Sequence, residues 1–171
     1  MELADRIAVM SKGRIAQLGD PRDLYDNPAD IDVARFLGQS NELAIVVERF
    51  DEATRQVVGR SEVGAVTAAW IPRRDTRPPA PDEQFVVFGR PGDFAVVSDD
   101  GDASRAAALE GLNRWPGQIE ASRFVGTHTE LVAKVGETEL RCWASDGSEL
   151  VDGQAVTVVV PADRLQAIRG T

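Results

Sequence analysis

The sequence offers few side chains for covalent chemistry, since it contains one cysteine, Cys142, and one histidine, His128. A catalytic thiol needs a base such as histidine beside it, so Cys142 and His128 form the one conceivable nucleophile pair. The competing interpretation is a packed strand cysteine, because free cysteine behaves as a small apolar residue. We favour that interpretation. The same two residues cannot form a structural zinc site, which takes four nitrogen or sulfur ligands.

Phosphate and metal chemistry also finds little support in the sequence. A P-loop ends in Gly-Lys-Ser/Thr, whereas Lys12 precedes Gly13 and the only other lysine is Lys134. Carboxylates cluster at 99–102, but they do not meet the full spacing of a calcium loop, and we favour a solvated turn. No Gly-x-Ser-x-Gly motif and no acid/base pair is recognisable. We therefore assign no catalytic, cofactor or metal residue, and an independent enzyme is the least favoured function.

Composition excludes further classes of function. The chain has 171 residues and a net charge of −9, which disfavours contact with phosphate backbones or anionic membranes. No apolar run approaches the ~20 residues that cross a bilayer, so we expect no direct membrane insertion. A lone cysteine and the absence of a signal-peptide pattern favour the cytoplasm.

The first 40 residues predict a hairpin followed by two short helices. Apolar strands at 6–10 and 14–18 flank a Ser-Lys-Gly turn. Asp20 is a good N-cap for a first helix that an Asn-Pro pair ends, and Asp30 can cap a second helix, predicted at 31–37. Gly38 follows it, where a left-handed residue commonly ends a helix.

From residue 41 onward the pattern is that of short strands. Residues 72–82 contain four prolines and predict a surface loop, and 163–168 predicts a final strand or a short helix. Many short strands with turns between them are typical of a small barrel or sandwich. No clean sequence repeat is visible. Strands are predicted at 43–50, 55–59, 62–71, 84–88, 93–97, 118–124, 129–135, 138–144 and 155–160.

The stretch 4–41 carries a dense set of motifs, among them ADRIAVM at 4–10, GRI at 13–15 and FLG at 36–38. It resembles the end of the nucleotide-binding domain in the ATP-binding subunits of ABC-type importers. The resemblance implies that 1–38 is the C-terminal remnant of that domain within a longer parent. In the family, the phosphate loop, signature motif and switch histidine precede this stretch, so ATP and Mg²⁺ are expected in the parent and no cofactor here.

Residues 41–171 resemble the regulatory extension of the same family, an OB-like barrel region known as TOBE. Arg90, Pro91 and Asp93 match its Arg-Pro-Glu-Asp segment, whereas Gly92 departs from it, and Gly126 lies in a similar hairpin entry. The expected fold is therefore mainly β: an OB-like (TOBE) barrel domain after a hairpin and two short helices left from an ATPase domain.

The resemblance implies a regulatory and dimerisation role for this domain. The expected partners are a second copy and, through the ATPase domain, membrane permease subunits, with the parent cytoplasmic and peripheral to the inner membrane. Apolar residues Val33, Phe36 and Leu37 are expected to find a partner surface. The transported substrates of the family include ferric iron, polyamines, thiamine and sugars, and the sequence leans toward iron or a polyamine.

An alternative is a small-molecule or oxyanion sensor, with Arg90 and the amides near Gly92 or Gly126 as the pointers. Binding of single-stranded nucleic acid, another common use of OB-like barrels, is disfavoured by the acidic charge.

Overall fold

The computed structural model describes residues 4–72, 77–98, 111–144 and 150–169. Most of these residues lie in strands, as expected, and two one-turn 3₁₀ helices lie at Pro91–Asp93 and Ala162–Arg164. The helices are α1 Pro21–Asp26 and α2 Ile31–Leu37, and the strands are β1 Ile7–Ser11, β2 Arg14–Gly19, β3 Asn41–Asp51, β4 Gln56–Ser61, β5 Gly64–Trp70, β6 Gln84–Gly89, β7 Ala95–Ser98, β8 Leu112–Phe124, β9 Thr129–Val135, β10 Thr138–Ala144, β11 Ala155–Pro161 and β12 Gln166–Arg169.

The helix caps predicted near the N-terminus are confirmed. The Asp20 carboxylate accepts a hydrogen bond from the Arg22 amide at 2.8 Å, and that of Asp30 accepts one from the Val33 amide at 2.9 Å. The left-handed ending at Gly38 is wrong, because this residue has φ 160° and ψ 176°, which is extended backbone. The chain leaves α2 in an extended form because it enters β3 three residues later.

Residues 4–38, which we name the N-terminal segment, have a small apolar cluster of their own. Val9 from the hairpin packs with Leu24 of α1 and Val33 of α2, and partly buried apolar residues of the same segment surround them. The main core of the described residues is a separate cluster that begins at Leu43. The segment therefore buries its own apolar faces rather than extending the main core.

The main core lies within two strand assemblies. Strands β3, β4, β5, β6 and β12 form a closed barrel in the order β12-β5-β4-β3-β6, with β12 parallel to β5 and antiparallel to the other neighbour. Strands β10, β9, β8, β11 and β7 form a five-stranded sheet in that order. The predicted OB-like barrel is thus confirmed, and a second strand assembly of related topology accompanies it.

The two assemblies are built from an internal repeat that the sequence does not reveal. Strands β3 to β6 pair among themselves in the same way as β8 to β11, and the first strand of each set carries a bulge at the same place. The backbone N–H of Val47 donates to Glu83 at 2.9 Å, and that of Ile119 donates to Gln154 at 2.9 Å. The shared pairing pattern therefore shows a repeat that no sequence periodicity revealed.

Each repeat gives its last strand to the other. Strand β7 of the first repeat pairs with β11, and β12 of the second repeat pairs with β6 and β5. The two assemblies consequently share one apolar core, which runs from Leu43 to Ala167 and includes the buried indole of Trp115. We call this shared body, which consists of one closed barrel and one five-stranded sheet of related topology, the barrel pair.

Two buried asparagines stand at matching places in the repeats. Asn41 of β3 donates to the Arg141 carbonyl at 2.7 Å and accepts from its amide at 2.8 Å. Asn113 of β8 makes the same pair of bonds with Thr67, at 2.9 and 2.7 Å. Each asparagine side chain therefore binds both the N–H and the C=O of one residue in the third strand of the opposite repeat, as a neighbouring strand would.

Some strand boundaries differ from the prediction. Strand β8 begins at Leu112 rather than 118, because Pro116 and Gly117 are accommodated within it opposite β11. The range 93–97 opens with the 3₁₀ turn before β7, and 163–168 holds both a 3₁₀ turn and β12. The carboxylates at 99–102 and residues 73–76 lie outside the described residues.

Candidate functional site

Arg90 follows β6 and points its side chain toward the N-terminal segment. Its Nη1 donates to the carbonyls of Ala34, Gly38 and Gln39 at 3.0, 3.1 and 3.2 Å. Its Nη2 donates to the Tyr25 carbonyl at 3.2 Å, and the guanidinium carbon lies 4.1 Å from the centroid of that ring. The sequence singled out Arg90 as a ligand residue, whereas its donors bind the backbone of this chain.

Electrostatics explains why an arginine is placed there. Carbonyls at the end of a helix carry partial negative charge, so a cation beside the ends of α1 and α2 is favourable. Burial lowers the pKa of Arg90, and Tyr25, Asp26 and Asp93 act in the opposite direction. Only 8% of Arg90 is exposed, and its Nε atom is buried without a hydrogen-bond partner. The guanidinium is therefore enclosed by protein rather than presented to a solute.

Pro91 and Asp93 belong to the same turn as Arg90 and support it. Pro91 is buried at the start of the 3₁₀ helix, and the Asp93 amide donates to the Arg90 carbonyl at 2.9 Å. Burial raises the pKa of the Asp93 carboxyl, although Arg164 at 3.8 Å lowers it. These two residues form the turn that sets the direction of the Arg90 side chain.

The other predicted pointers are Gly92, which lies against an aromatic stack, and Gly126, which has no atom within 4 Å of where its Cβ would be. A Cβ added at Gly92 would come within 2.9 Å of the Trp143 ring, so the indole occupies the space beside this glycine. The His128 ring packs on the same indole, with centroids 4.4 Å apart. Gly126 is at the exposed tip between β8 and β9, with φ 94°. The Trp143 ring also explains why position 92 holds glycine, where the Arg-Pro-Glu-Asp segment of the family has glutamate.

The predicted apolar face of α2 is divided between the inside and the outside of the segment. Val33 is 1% exposed, and Leu37 packs against the same cluster. Phe36, in contrast, is 71% exposed. The hairpin adds Met10, Ile15 and Leu18, which are exposed as well. We name these four exposed residues the N-terminal apolar surface.

A groove between α2 and the barrel was not predicted from the sequence. It encloses about 420 Å³ beside β3, β6 and β12, with Arg35 and Arg169 among its lining residues. The Arg35 guanidinium binds Glu42 at 2.6 Å, and Arg169 binds Glu83. Isolated arginines 134 positions apart leave no sequence signal, because only the closure of the barrel brings them to one groove.

Cys142 and His128 do not meet, because they lie on opposite faces of β10. Cys142 is fully buried in the core, and burial raises its pKa to about 12. His128 instead contacts Trp143, the next residue, whose side chain is 42% exposed. The packed-cysteine interpretation is confirmed, since a buried neutral thiol is not a nucleophile.

Neither a metal-binding cluster nor a membrane-spanning helix is found in the described ranges. No group of three or more His, Cys, Asp or Glu residues there is arranged to hold a metal ion. No helix in those ranges is long and apolar enough to cross a membrane.

Comparison with curated proteins gives a consistent group of relatives. The chain is 32% identical over 142 residues to the spermidine/putrescine import ATP-binding protein PotA of Clostridium novyi, covering 81% of this chain and 33% of that protein. PotA of Nitratidesulfovibrio vulgaris is 29% identical over 136 residues, covering 79% and 33%. PotA of Mesorhizobium japonicum is 27% identical over 174 residues, covering 99% and 43%. No family model matches the chain.

The chain is similar to the C-terminal part of ABC-importer ATP-binding subunits. It spans about a third of the length of the first two of these relatives and somewhat more of the third. Among solved structures, the molybdate-bound form of the cytoplasmic molybdate-binding protein ModG matches with a TM-score of 0.65. That match covers 76% of this chain and 96% of ModG at 15% identity, so it shows the OB-like fold alone.

Proposed function

We propose that this chain is the regulatory and dimerisation domain of the ATP-binding subunit of an ABC importer. One observation carries the proposal: a segment with the sequence of an importer ATPase end is fastened by Arg90 to a barrel pair with the fold of a known ligand-binding protein. This arrangement supports a regulatory module that follows the ATPase domain. The module would keep a fixed orientation to α1 and α2, the last two helices of that domain.

The longer parent would bind ATP and Mg²⁺, act with membrane permease subunits and remain cytoplasmic, peripheral to the inner membrane. The names of the relatives support a polyamine as the transported substrate, with ferric iron as the rival. In this proposal the 171 residues hydrolyse no ATP themselves, because the sequence contains no Gly-Lys-Ser/Thr phosphate loop. Hydrolysis by the purified chain above a heat-denatured sample would contradict that part.

The dimerisation role predicts a mass near twice the 18.5 kDa of one chain. Multi-angle light scattering over a hundredfold range of concentration measures this mass directly. A dimer that dissociates on dilution supports the proposal. A monomer at every concentration would remove the dimerisation part of it.

Two matched variants locate the contact. Phe124, at the end of β8, is 62% exposed on the barrel pair, and Phe36 is exposed on the N-terminal segment. Dimerisation by the regulatory domain predicts that Phe124→Ser weakens association and Phe36→Ser does not. The reverse result would instead indicate self-association through the N-terminal apolar surface, which in this proposal faces the ATPase domain.

The second candidate function is sensing of an oxyanion or another small molecule, and the fold of ModG together with the groove beside Arg35 favours keeping it. It ranks second because both arginines of the groove already bind carboxylates. Thermal-shift measurements with molybdate, sulfate, phosphate, ferric citrate, spermidine and thiamine test it. A shift that Arg35→Ala abolishes would support the groove, and no shift at millimolar concentration would remove the candidate.

A further inference from the structure

The joint between the N-terminal segment and the barrel pair is polar. The apolar cluster of the segment draws its members from 7–37, and the main core draws its members from 43–167. Between the two clusters run the Arg90 bonds, the Arg35–Glu42 ion pair and a bond from the Gln166 side chain to the Asp26 carbonyl. Neither apolar cluster extends across this joint, so directional polar contacts contribute to the attachment.

Arg90 is the buried member of this set. Arg35 is more than half exposed, and an ion pair in solvent contributes little. Arg90 is only 8% exposed, and its guanidinium reaches four carbonyls that belong to α1, α2 and the chain just after α2. Hydrogen bonds from a charged donor are stronger than neutral ones, and buried partners lose more when the donor is removed.

We infer that Arg90 is a positioning residue that latches the N-terminal segment onto the barrel pair, so that the two short helices of the segment lose their protection together when the latch is removed. This inference goes beyond the proposed function and does not depend on it, because it concerns two parts of this chain alone. The same latch would set the angle between any domain that precedes the segment and the barrels.

The geometry requires arginine rather than a positive charge in general. Two nitrogens of one planar group bind on separate sides, Nη1 at the end of α2 and Nη2 at the end of α1. The flat face also stacks on the Tyr25 ring. A lysine ammonium is a single compact donor and cannot bridge both helix ends while stacking. Arg90→Lys should therefore resemble Arg90→Ala.

Native-state hydrogen exchange of the full 171-residue chain tests the latch. The reporters in the segment are the amides of Leu24 and Ala34, which bond to Asp20 and Asp30. The barrel reporters are the matched amides of Val47 and Ile119. In Arg90→Ala we expect the segment amides to exchange at least about tenfold faster while the barrel amides keep their rates. Arg114→Ala, an exposed arginine on β8, is the control.

Either of two results overturns the inference. Unchanged exchange of the segment would show that Arg90 does not hold it, and equal acceleration of segment and barrel would show a general loss of stability. Tyr25 supplies a milder probe if Arg90→Ala folds poorly. Tyr25→Phe keeps the stacked ring and should leave exchange unchanged, whereas Tyr25→Ala should accelerate the segment amides only. Acceleration of the barrel amides in Tyr25→Ala would also contradict the latch.

Discussion

Single residues with buried polar groups carry the specific contacts between parts of this protein. Asn41, Asn113 and Arg90 are the three buried polar or charged residues of the described ranges. Each binds backbone groups of a distant element rather than another side chain. The contacts thus depend on where the backbone lies, which makes them sensitive to relative placement of the elements.

Replacing either asparagine by alanine should destabilise the barrel pair by about 2 kcal/mol, because a buried N–H and C=O lose their partners. Asn113→Ala should cost more than Asn41→Ala, since Asn113 also donates to the Val160 carbonyl at 3.2 Å. Chemical denaturation measures both free energies of unfolding. Asn27→Ala, whose side-chain bond to Asp23 is exposed, is the control. Equal effects for Asn27 and Asn113 would contradict this account.

The sequence identified the residues around Arg90 but not their use. Its motif marks Arg90, Pro91 and Asp93 as unusual, and the turn they form is local. The partners of Arg90 lie 51 to 65 positions away in the chain and are backbone carbonyls, which any residue supplies. No pattern of side chains could therefore have predicted that Arg90 binds the N-terminal segment. The motif alone suggested only that Arg90 binds a ligand.

Elements differ in how far local sequence determines them. The caps at Asp20 and Asp30 act within three residues, and the two helices were predicted with their correct starts. The exchange of β7 and β12 depends on pairs of residues that are 58 (Ser98 and Val156) to 84 (Phe85 and Arg169) positions apart, and no local signal encodes it. Strand existence was consequently predictable from periodicity, while strand partnership was not.

At this scale the clearest prediction concerns β12. A chain that stops after Pro161 lacks Leu165 and Ala167, both 1% exposed, and leaves β5 and β6 without their shared neighbour. We expect the melting midpoint to fall by about 10 °C or more, measured by circular dichroism. The matched control stops after Arg169. An equal midpoint for the two shortened chains would show that β12 is dispensable for closure of the barrel.

The whole molecule combines an acidic charge with a polar joint and one shared core. Its net charge of −9 destabilises the folded state through repulsion between like charges. Some of its carboxylates offset this repulsion by accepting hydrogen bonds. Hydrogen bonds from Arg169 and the Ala80 amide lower the pKa of Glu83, and the amides of Thr54 and Ala53 lower that of Asp51. Both carboxylates therefore favour the folded state in their ionised form.

Acid should weaken the fold through these groups. A carboxyl whose pKa is lower in the folded protein stabilises it above the unfolded pKa, and this contribution is lost as pH falls through the folded pKa. The ordinary values are 4.5 for Glu83 and 3.8 for Asp51, so the melting midpoint should fall as pH drops below them. Glu83→Gln should melt lower at pH 7 and lose less on acidification. An equal acid-induced drop in both proteins would contradict the assignment to Glu83.

The reciprocal strands have a consequence for synthesis on the ribosome. The barrel that begins at Asn41 is closed by β12, which ends at Arg169, so nearly the whole chain must emerge before this barrel can be complete. Until then β5 and β6 present unpaired edges, which are templates for wrong pairing. The barrel whose first strand is synthesised early is thus completed last. Nascent chains that stop before β12 would be the species that chaperones bind.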